Sequence, residues 1–400
     1  MHNIVILGGN FAGVSTAHYL LRHVLPALNS TNGNKPGYKV TLVSPSSHTF
    51  FKIAAPRALI SAEVVPLDKC FASIPDGFSQ YNQFEFGFVQ GEAIQVDETL
   101  RIVSVSSADH ATIIPVQYDS LVIATGTTSP SPLWTLHGDF KHTAAAFEDM
   151  HQRLPQAKTI IIVGGGPTGV ETAGEIAHFY KEKHITLLSG NIRLLPRLSH
   201  ATVSKSAERQ LESLNVKTIH NIKVNSATEL PNGQTSVSLS DGSSRTVDIY
   251  INAIGGAPNT AFLPASWLNE SKHVATDGST LRATKAPTCT YSIGDAASYS
   301  KGGIMDAKYP VPALCYSILS DLREATNGKD GGVGAKAPLK ESTYKQIKTE
   351  LQFVPIGPKG GVGVAFGYYV PSFFVWLLKS RTFFLEKAPE LATGKEFSKP

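Results

Sequence analysis

Glycines at fixed spacing and a few isolated charges are where this chain could do chemistry. Thr159 to Val163 is an apolar β-branched run, and Gly164-Gly165-Gly166-Pro167-Thr168-Gly169 follows it directly. A buried strand that turns through glycines into a helix presents free backbone N–H groups and a partial positive charge, which suits a phosphate. In that design Gly164 makes the tight turn, Gly166 lets a pyrophosphate approach, and Gly169 lets the helix pack against the sheet. Glu171 falls in the first helical turn, and Glu175 lies four residues on along the same face. Compensation of the helix dipole is the plain reading of Glu171, and surface solvation that of Glu175.

A second loop of this kind stands at the start of the chain. Asn3 to Leu7 reads as a short buried strand, followed by Gly8-Gly9-Asn10-Phe11-Ala12-Gly13 and a helix from Val14 to about Leu25. Asn10 replaces the middle glycine; Asn tolerates a left-handed backbone, so the turn can survive, though close approach to a pyrophosphate is harder. The strand Tyr38 to Val43 ends at Ser44, where a ribose-binding carboxylate often stands. Ile185 to Leu188 ends at Ser189-Gly190 with Arg193 soon after and no acid, so a 2′-phosphate meets no repulsion, and use of both NADH and NADPH is expected. Lys52 and Arg57 are the basic groups of an apolar segment, Phe50 to Arg57. Ala124-Thr125-Gly126 and Gly255 each close a further strand. Gly294-Asp295-Ala296 delivers an aspartate at a strand's carboxyl end, where ligands bind in open α/β sheets; a helix N-cap is the plainer reading of Asp295.

These elements form a partial internal repeat, one nucleotide-binding unit interrupted by a second. The expected architecture is α/β, with two Rossmann-like units and a small C-terminal α+β unit. The first comprises 1–128 and 283–336, the inserted one 129–282, and the last 337–400. Pro26 to Gly37 reads as a surface loop, and Phe84 to Val105 as an antiparallel excursion. A net charge of +4, from 36 basic and 32 acidic side chains without a dense basic tract, gives no reason to expect nucleic acid. Cys70, Cys289 and Cys315 make no CxxC and no metal pattern, so no metal site is expected and a reducing compartment is. The first strand leaves no room for a leader, position 2 is His and excludes N-myristoylation, and no stretch is long enough to span a bilayer. Cytoplasmic residence follows as the expectation. For the aromatic stretch Phe366 to Leu378, burial at a domain interface is expected, with contact at a membrane surface as the alternative.

Gly8, Gly13, Ala124-Thr125-Gly126, Gly164, Gly166, Gly169, Glu171, Gly255 and Gly294-Asp295 together resemble the two-dinucleotide flavoprotein superfamily. Gly357-Pro358-Lys359-Gly360-Gly361, Phe366-Gly367-Tyr368-Tyr369 and Leu378-Lys379-Ser380-Arg381-Thr382-Phe383-Phe384 are similar to the tail of the apoptosis-inducing-factor-homologous, ferroptosis-suppressor-type NAD(P)H:quinone oxidoreductases. Ala54-Ala55-Pro56-Arg57 fits the same group. The resemblance implies FAD on the first loop with Asp295, NADH or NADPH on the second, and a quinone-type acceptor. It also implies that Glu171 and Lys379 sit near the isoalloxazine and that Phe384 lines the acceptor pocket. From spacing alone, Lys379 reads as a snorkelling residue after Phe373 to Leu378. Electrons would pass from nicotinamide to flavin and on to the acceptor, in a monomer or homodimer touching a membrane at most peripherally. Two other readings stand beside it: a flavin oxidase or dehydrogenase tailoring a specialised metabolite, and an NADH-sensing, apoptosis-inducing-factor-like binding protein.

Overall fold

A computed structural model of the chain describes residues 1–29, 37–81, 85–327 and 341–399. Residues 30–36 of the expected surface loop, Phe84, and the expected boundary at 336/337 lie outside these residues. The largest sheet has seven strands in the order Thr290–Ser292, Ser120–Ile123, His2–Leu7, Tyr38–Ser44, Glu85–Asp97, Ile102–Ser107 and Ile113–Gln117. Its first five strands run parallel, and Ile4 faces Val40 on one side and Ser120 on the other. The expected antiparallel excursion is present from Gly91 on, but its first part is parallel. Glu85 to Gln90 pairs parallel with Lys39 to Ser44, and Gly91 to Asp97 then pairs antiparallel with Ile102–Ser107 across a register shift. One strand thus bends from one ladder into another, as irregular pairing allows.

The second sheet is fully parallel, in the order Val216–Ile219, His184–Leu188, Thr159–Val163 and Ile249–Asn252, beside an antiparallel trio from Val224 to Val247. A third sheet, Leu351–Pro355, Gly361–Ala365 and Tyr368–Val370, carries the C-terminal segment. The fold is therefore α/β with two Rossmann-like units and a small C-terminal α+β unit. Where the chain passes between the first two, Thr127–Thr128 pairs with Ala257–Pro258. Asn259 ties the joint further: its Nδ2 donates to the Thr125 carbonyl at 2.9 Å and its carbonyl accepts from Thr125 Oγ1 at 2.7 Å.

The first-loop helix, Phe11–Tyr19, is buried along its whole length and continues through a π turn, Leu20–Val24, into Leu25–Asn29. Its His18 is wholly buried, stacked on Phe78 at 3.9 Å and hydrogen-bonded to Tyr81 Oη and the Ala392 carbonyl at 2.8 and 2.9 Å. The chain's C-terminal turns are thereby clamped onto this helix. Cys70 and Cys315 lie in the core, and Cys289 is half-buried.

Two further expectations are corrected. Glu175 is wholly buried instead of solvated, because Arg57 grips both its oxygens at 2.8 Å. Arg57 also donates to the Arg381 carbonyl at 3.0 Å, and its guanidinium lies 4.6 Å from the centre of the Phe383 ring. One side chain thus joins the N-terminal segment, the second-loop helix Pro167–Phe179 and the C-terminal segment. The aromatic stretch is not interred at an interface: Phe366, Tyr368, Phe373 and Phe374 are 64%, 78%, 61% and 50% exposed. The short helical segment Ser372–Ser380 instead turns Val375 and Ser380 inward and leaves Phe373 and Phe374 outside.

Burial lowers the His18 imidazole from 6.5 to about 4. A depressed folded pKa means that its stabilisation is complete above 6.5 and is lost as pH falls toward 4. Linkage puts the loss at about 3 kcal/mol, and His18→Gln should flatten the urea midpoint's dependence on pH between 7 and 4. Breaking the Arg57–Glu175 pair strands a buried charge, so Arg57→Met should cost about 3–5 kcal/mol. Adding Glu175→Leu should recover most of that loss in equilibrium unfolding.

Candidate functional site

Both glycine loops open on one continuous cleft of about 2440 Å³. That exceeds the roughly 300–1,000 Å³ of an ordinary small-molecule pocket and leaves room for more than one nucleotide. The two loops are built alike. Gly8 and Gly164 adopt φ of 117° and 126°, and a Cβ on either would meet the carbonyl of Ala124 or Ala253 at 2.3 or 2.5 Å. Gly13 and Gly169 bring the helix onto the turn, where a Cβ would lie 1.8 or 1.9 Å from the Gly8 or Gly164 carbonyl. These two pack behind the loops and do not face the cleft.

The middle position differs from its expected logic. Asn10 is extended, with φ −126° and ψ −158°, and so is Gly166, with φ −80° and ψ −178°. Neither needs a left-handed backbone. A Cβ at Gly166 would meet no protein atom within 4 Å, so its glycine leaves space for something outside the chain. The Asn10 side chain bends back, its Oδ1 accepting from the Phe50 N–H at 3.4 Å. The serines ending the second strand of each unit also correspond. Ser44 and Ser189 are buried, and a Cβ at Gly9 or Gly165 would meet their hydroxyls at 2.4 or 2.5 Å. Two tight turns that each lead into a helix N-terminus fit the pyrophosphates of two dinucleotides, with the space beside Gly166 open on the second.

Phe11, Ala12, Lys52, Ala124, Thr125 and Gly126 line the cleft on the first unit's side, with Gly294 and Asp295. Asp295 is no helix N-cap: it lies within a short 3₁₀ turn, and its Oδ1 accepts from Ser300 Oγ and the Gly303 N–H at 3.1 and 3.2 Å. Its other oxygen lies 3.8 Å from Lys52 Nζ. Pro167, Thr168 and Gly255 line the second unit's side. Three expected contacts are turned elsewhere. Arg57 is taken up by Glu175, Ala296 is a wholly buried core residue, and Arg193 donates to the Pro196 and Leu198 carbonyls at 3.4 and 2.7 Å. None of the three faces the cleft.

Where the units converge, Lys379 Nζ lies 2.6 Å from Glu171 Oε1 and donates to the Phe353 carbonyl at 3.1 Å. The side chains are only 15% and 6% exposed, so Lys379 does not snorkel. Burial raises the Glu171 carboxyl above its ordinary value; Lys379 opposes that shift and Glu175 adds to it. Phe384 lines the same end of the cleft from a left-handed backbone, φ 57°, directly after Phe383 at φ 51°. Two consecutive non-glycine residues there cost energy and persist only because packing holds them, here beneath Arg57. Sequence reasoning missed Glu175 and Asn259. The signal for Glu175 was a carboxylate among Ala173, Gly174 and Ile176, on a helix face too apolar for water.

None of the three cysteines lines the cleft, and burial pushes the Cys70 thiol up to about 12. The family model for pyridine nucleotide-disulphide oxidoreductases matches residues 2–311. The oxidoreductase phnG of Penicillium herquei is 37% identical over 99% of this chain and 97% of its own. Ferroptosis suppressor protein 1 of Xenopus tropicalis is 25% identical over 96% and 94%. Among solved structures, NDH2 of Plasmodium falciparum in complex with NADH superposes with a TM-score of 0.66 at 16% identity, over 100% of this chain and 99% of that one, a likeness of fold. The chain belongs to the pyridine nucleotide-disulphide oxidoreductase family, and its cofactors are FAD and NADH or NADPH.

Proposed function

We propose that this oxidoreductase passes electrons from NADH or NADPH through FAD to a quinone-type acceptor at the Glu171–Lys379 end of the cleft. Residues 1–128 with 283–336 would hold FAD through the Gly8–Gly13 loop, Lys52 and Asp295; residues 129–282 would hold the nicotinamide nucleotide on the Gly164–Gly169 loop. Residues 337–400 would close the cleft with Lys379 and Phe384. FAD, when bound, takes two electrons from the nicotinamide and releases them to a second substrate.

The observation that carries this reading is the buried Lys379–Glu171 pair on the wall shared by all three segments. Reduction of a quinone to a hydroquinone consumes two protons. Lys379 Nζ is a hydrogen-bond donor on the cleft wall, placed to pass a proton to an acceptor oxygen, and the Glu171 carboxyl, whose proton affinity burial raises, lies within hydrogen-bond reach to relay one back to it. Phe384 offers an apolar wall for a flat acceptor ring. Two strong acids are not required, and positioning does most of the work. The exposed rings of Phe366, Tyr368, Phe373 and Phe374, on segments adjoining Lys379, suit peripheral contact with a membrane from which an apolar acceptor could arrive. No helix among the described residues is long and apolar enough to cross one.

Purified FAD-loaded protein should oxidise NADH faster on addition of a soluble quinone. Lys379→Met and Glu171→Gln should each lower that kcat by roughly 10²-fold while leaving flavin content unchanged. Turnover indifferent to quinones, or variants as active as the parent, would overturn the assignment.

A further inference from the structure

The carboxyl end of His184–Leu188 is where a Rossmann-like unit meets the adenosine ribose of its ligand, and residues there decide whether a 2′-phosphate is welcome. Arg193, the nearest cation in sequence, is spent on two backbone carbonyls of its own loop and lies off the cleft. Another cation occupies the place. Residues 221–223 run alongside this strand end: the Ile222 N–H donates to the Ser189 carbonyl at 3.1 Å and the Asn221 N–H to the Asn191 carbonyl at 3.2 Å. Lys223 follows, its backbone fixed on both sides by Ser240, whose Oγ accepts at 3.0 Å and whose N–H donates at 2.9 Å.

The Lys223 side chain crosses directly over Gly190. A Cβ built on Gly190 would lie 3.5 Å from Lys223 Cγ and 3.8 Å from its Cε. The stem thus lies in van der Waals reach of position 190 along its length. Gly190, Asn191 and Lys223 all face the cleft, and Lys223 Nζ makes no hydrogen bond or ion pair among the described residues. Among the described residues that line the cleft between Gly190 and Asn259, none carries a carboxylate. Ser189, the residue that would otherwise reach a ribose hydroxyl, is wholly buried and turns its Oγ to the Asn191 and Arg193 carbonyls at 3.3 and 3.4 Å. Arg197, the other cation on this unit's side, donates to the Lys301 carbonyl at 3.3 Å on the opposite wall.

We propose that Lys223, laid over Gly190 with Asn191 beside it, is the specificity-determining group that recognises the 2′-phosphate of NADPH. The inference rests on the second glycine loop holding the nicotinamide nucleotide. A phosphomonoester carries close to two negative charges at neutral pH, and an ammonium on a flexible stem can meet it without displacing a structural hydrogen bond. With no carboxylate to hold a 2′-hydroxyl, NADH has no compensating contact at this point.

The test uses the FAD-loaded protein and two probes that need no acceptor, 2′,5′-ADP and 5′-AMP, titrated by calorimetry. The parent should bind 2′,5′-ADP about tenfold more tightly, an advantage that shrinks with added salt. Lys223→Ala should abolish the advantage and leave 5′-AMP within about twofold, and Lys223→Arg should retain it. Arg193→Ala should affect both probes alike. In turnover, the NADPH-to-NADH ratio of kcat/KM should fall with Lys223→Ala by the same factor. A 2′,5′-ADP advantage that survives Lys223→Ala, or that vanishes with Arg193→Ala alone, overturns the proposal. A parent that binds neither probe overturns the nucleotide assignment of the second loop along with it, whereas selective binding without quinone-stimulated turnover contradicts only the acceptor.

Discussion

Two carboxylates one helical turn apart are buried on the same face of Pro167–Phe179, and the molecule is arranged to keep both supplied with cations. Taking charges out of water costs several kcal/mol each unless geometry and further hydrogen bonds compensate. Glu175 is met by Nε and Nη2 of Arg57 from the N-terminal segment, and Glu171 by Lys379 from the C-terminal one. Phe383 lies between the two cations, its ring 4.6 Å from the Arg57 guanidinium carbon and 5.7 Å from Lys379 Nζ. The inserted unit is therefore gripped on one helix by the units before and after it. A docking that keeps either cation from this helix leaves a buried carboxylate unpaired.

That docking is also what makes a single cleft from two separate nucleotide loops. The helix that carries the charge pairs begins at the Gly166 turn, so fixing its flank fixes the position of its N-terminus. The joint at Thr125 and Asn259 holds the other side, where both chain crossings pass. Asp295 is braced separately. Ser300 and Gly303 hold its carboxylate, while Tyr299 Oη accepts from the Gly294 N–H at 3.1 Å and donates to the Asp306 carbonyl at 2.7 Å. Chemistry at the cleft thus depends in part on Arg57, Glu175 and Tyr299, which do not face it.

Much of this was legible in the residues. The two strand–glycine–helix turns and the interruption of one unit by another follow from local rules, since a parallel strand buried on both faces and a turn that admits no Cβ leave a strong trace. Pairings between distant segments leave none. Arg57 looked like a ligand contact and Glu175 like a surface residue because nothing near either one names its partner, which lies 118 positions away. Arg193 misled for a related reason: proximity in sequence to a strand end says nothing about carbonyls that will claim its donors. The aromatic stretch misled through a base expectation, that rings seek a core. Here Tyr368 stands on an edge strand and Phe373 and Phe374 on the outer side of the short helical segment after it, so they stay exposed. Asn10 kept its loop for a reason not visible in the pattern, since that position asks for space and not for a left-handed backbone.

We propose that Lys379, held by Glu171, acts on the acceptor at the point where the two nucleotide sites meet. Anaerobic half-reactions of the FAD-loaded protein separate the two stages. NADH should bleach the visible flavin absorption at similar rates in the parent and in Lys379→Met. Return of that absorption on mixing with a soluble quinone should be slower in Lys379→Met by roughly tenfold or more. Equal rates of return in the two proteins, or a purified protein with no flavin absorption, would contradict it.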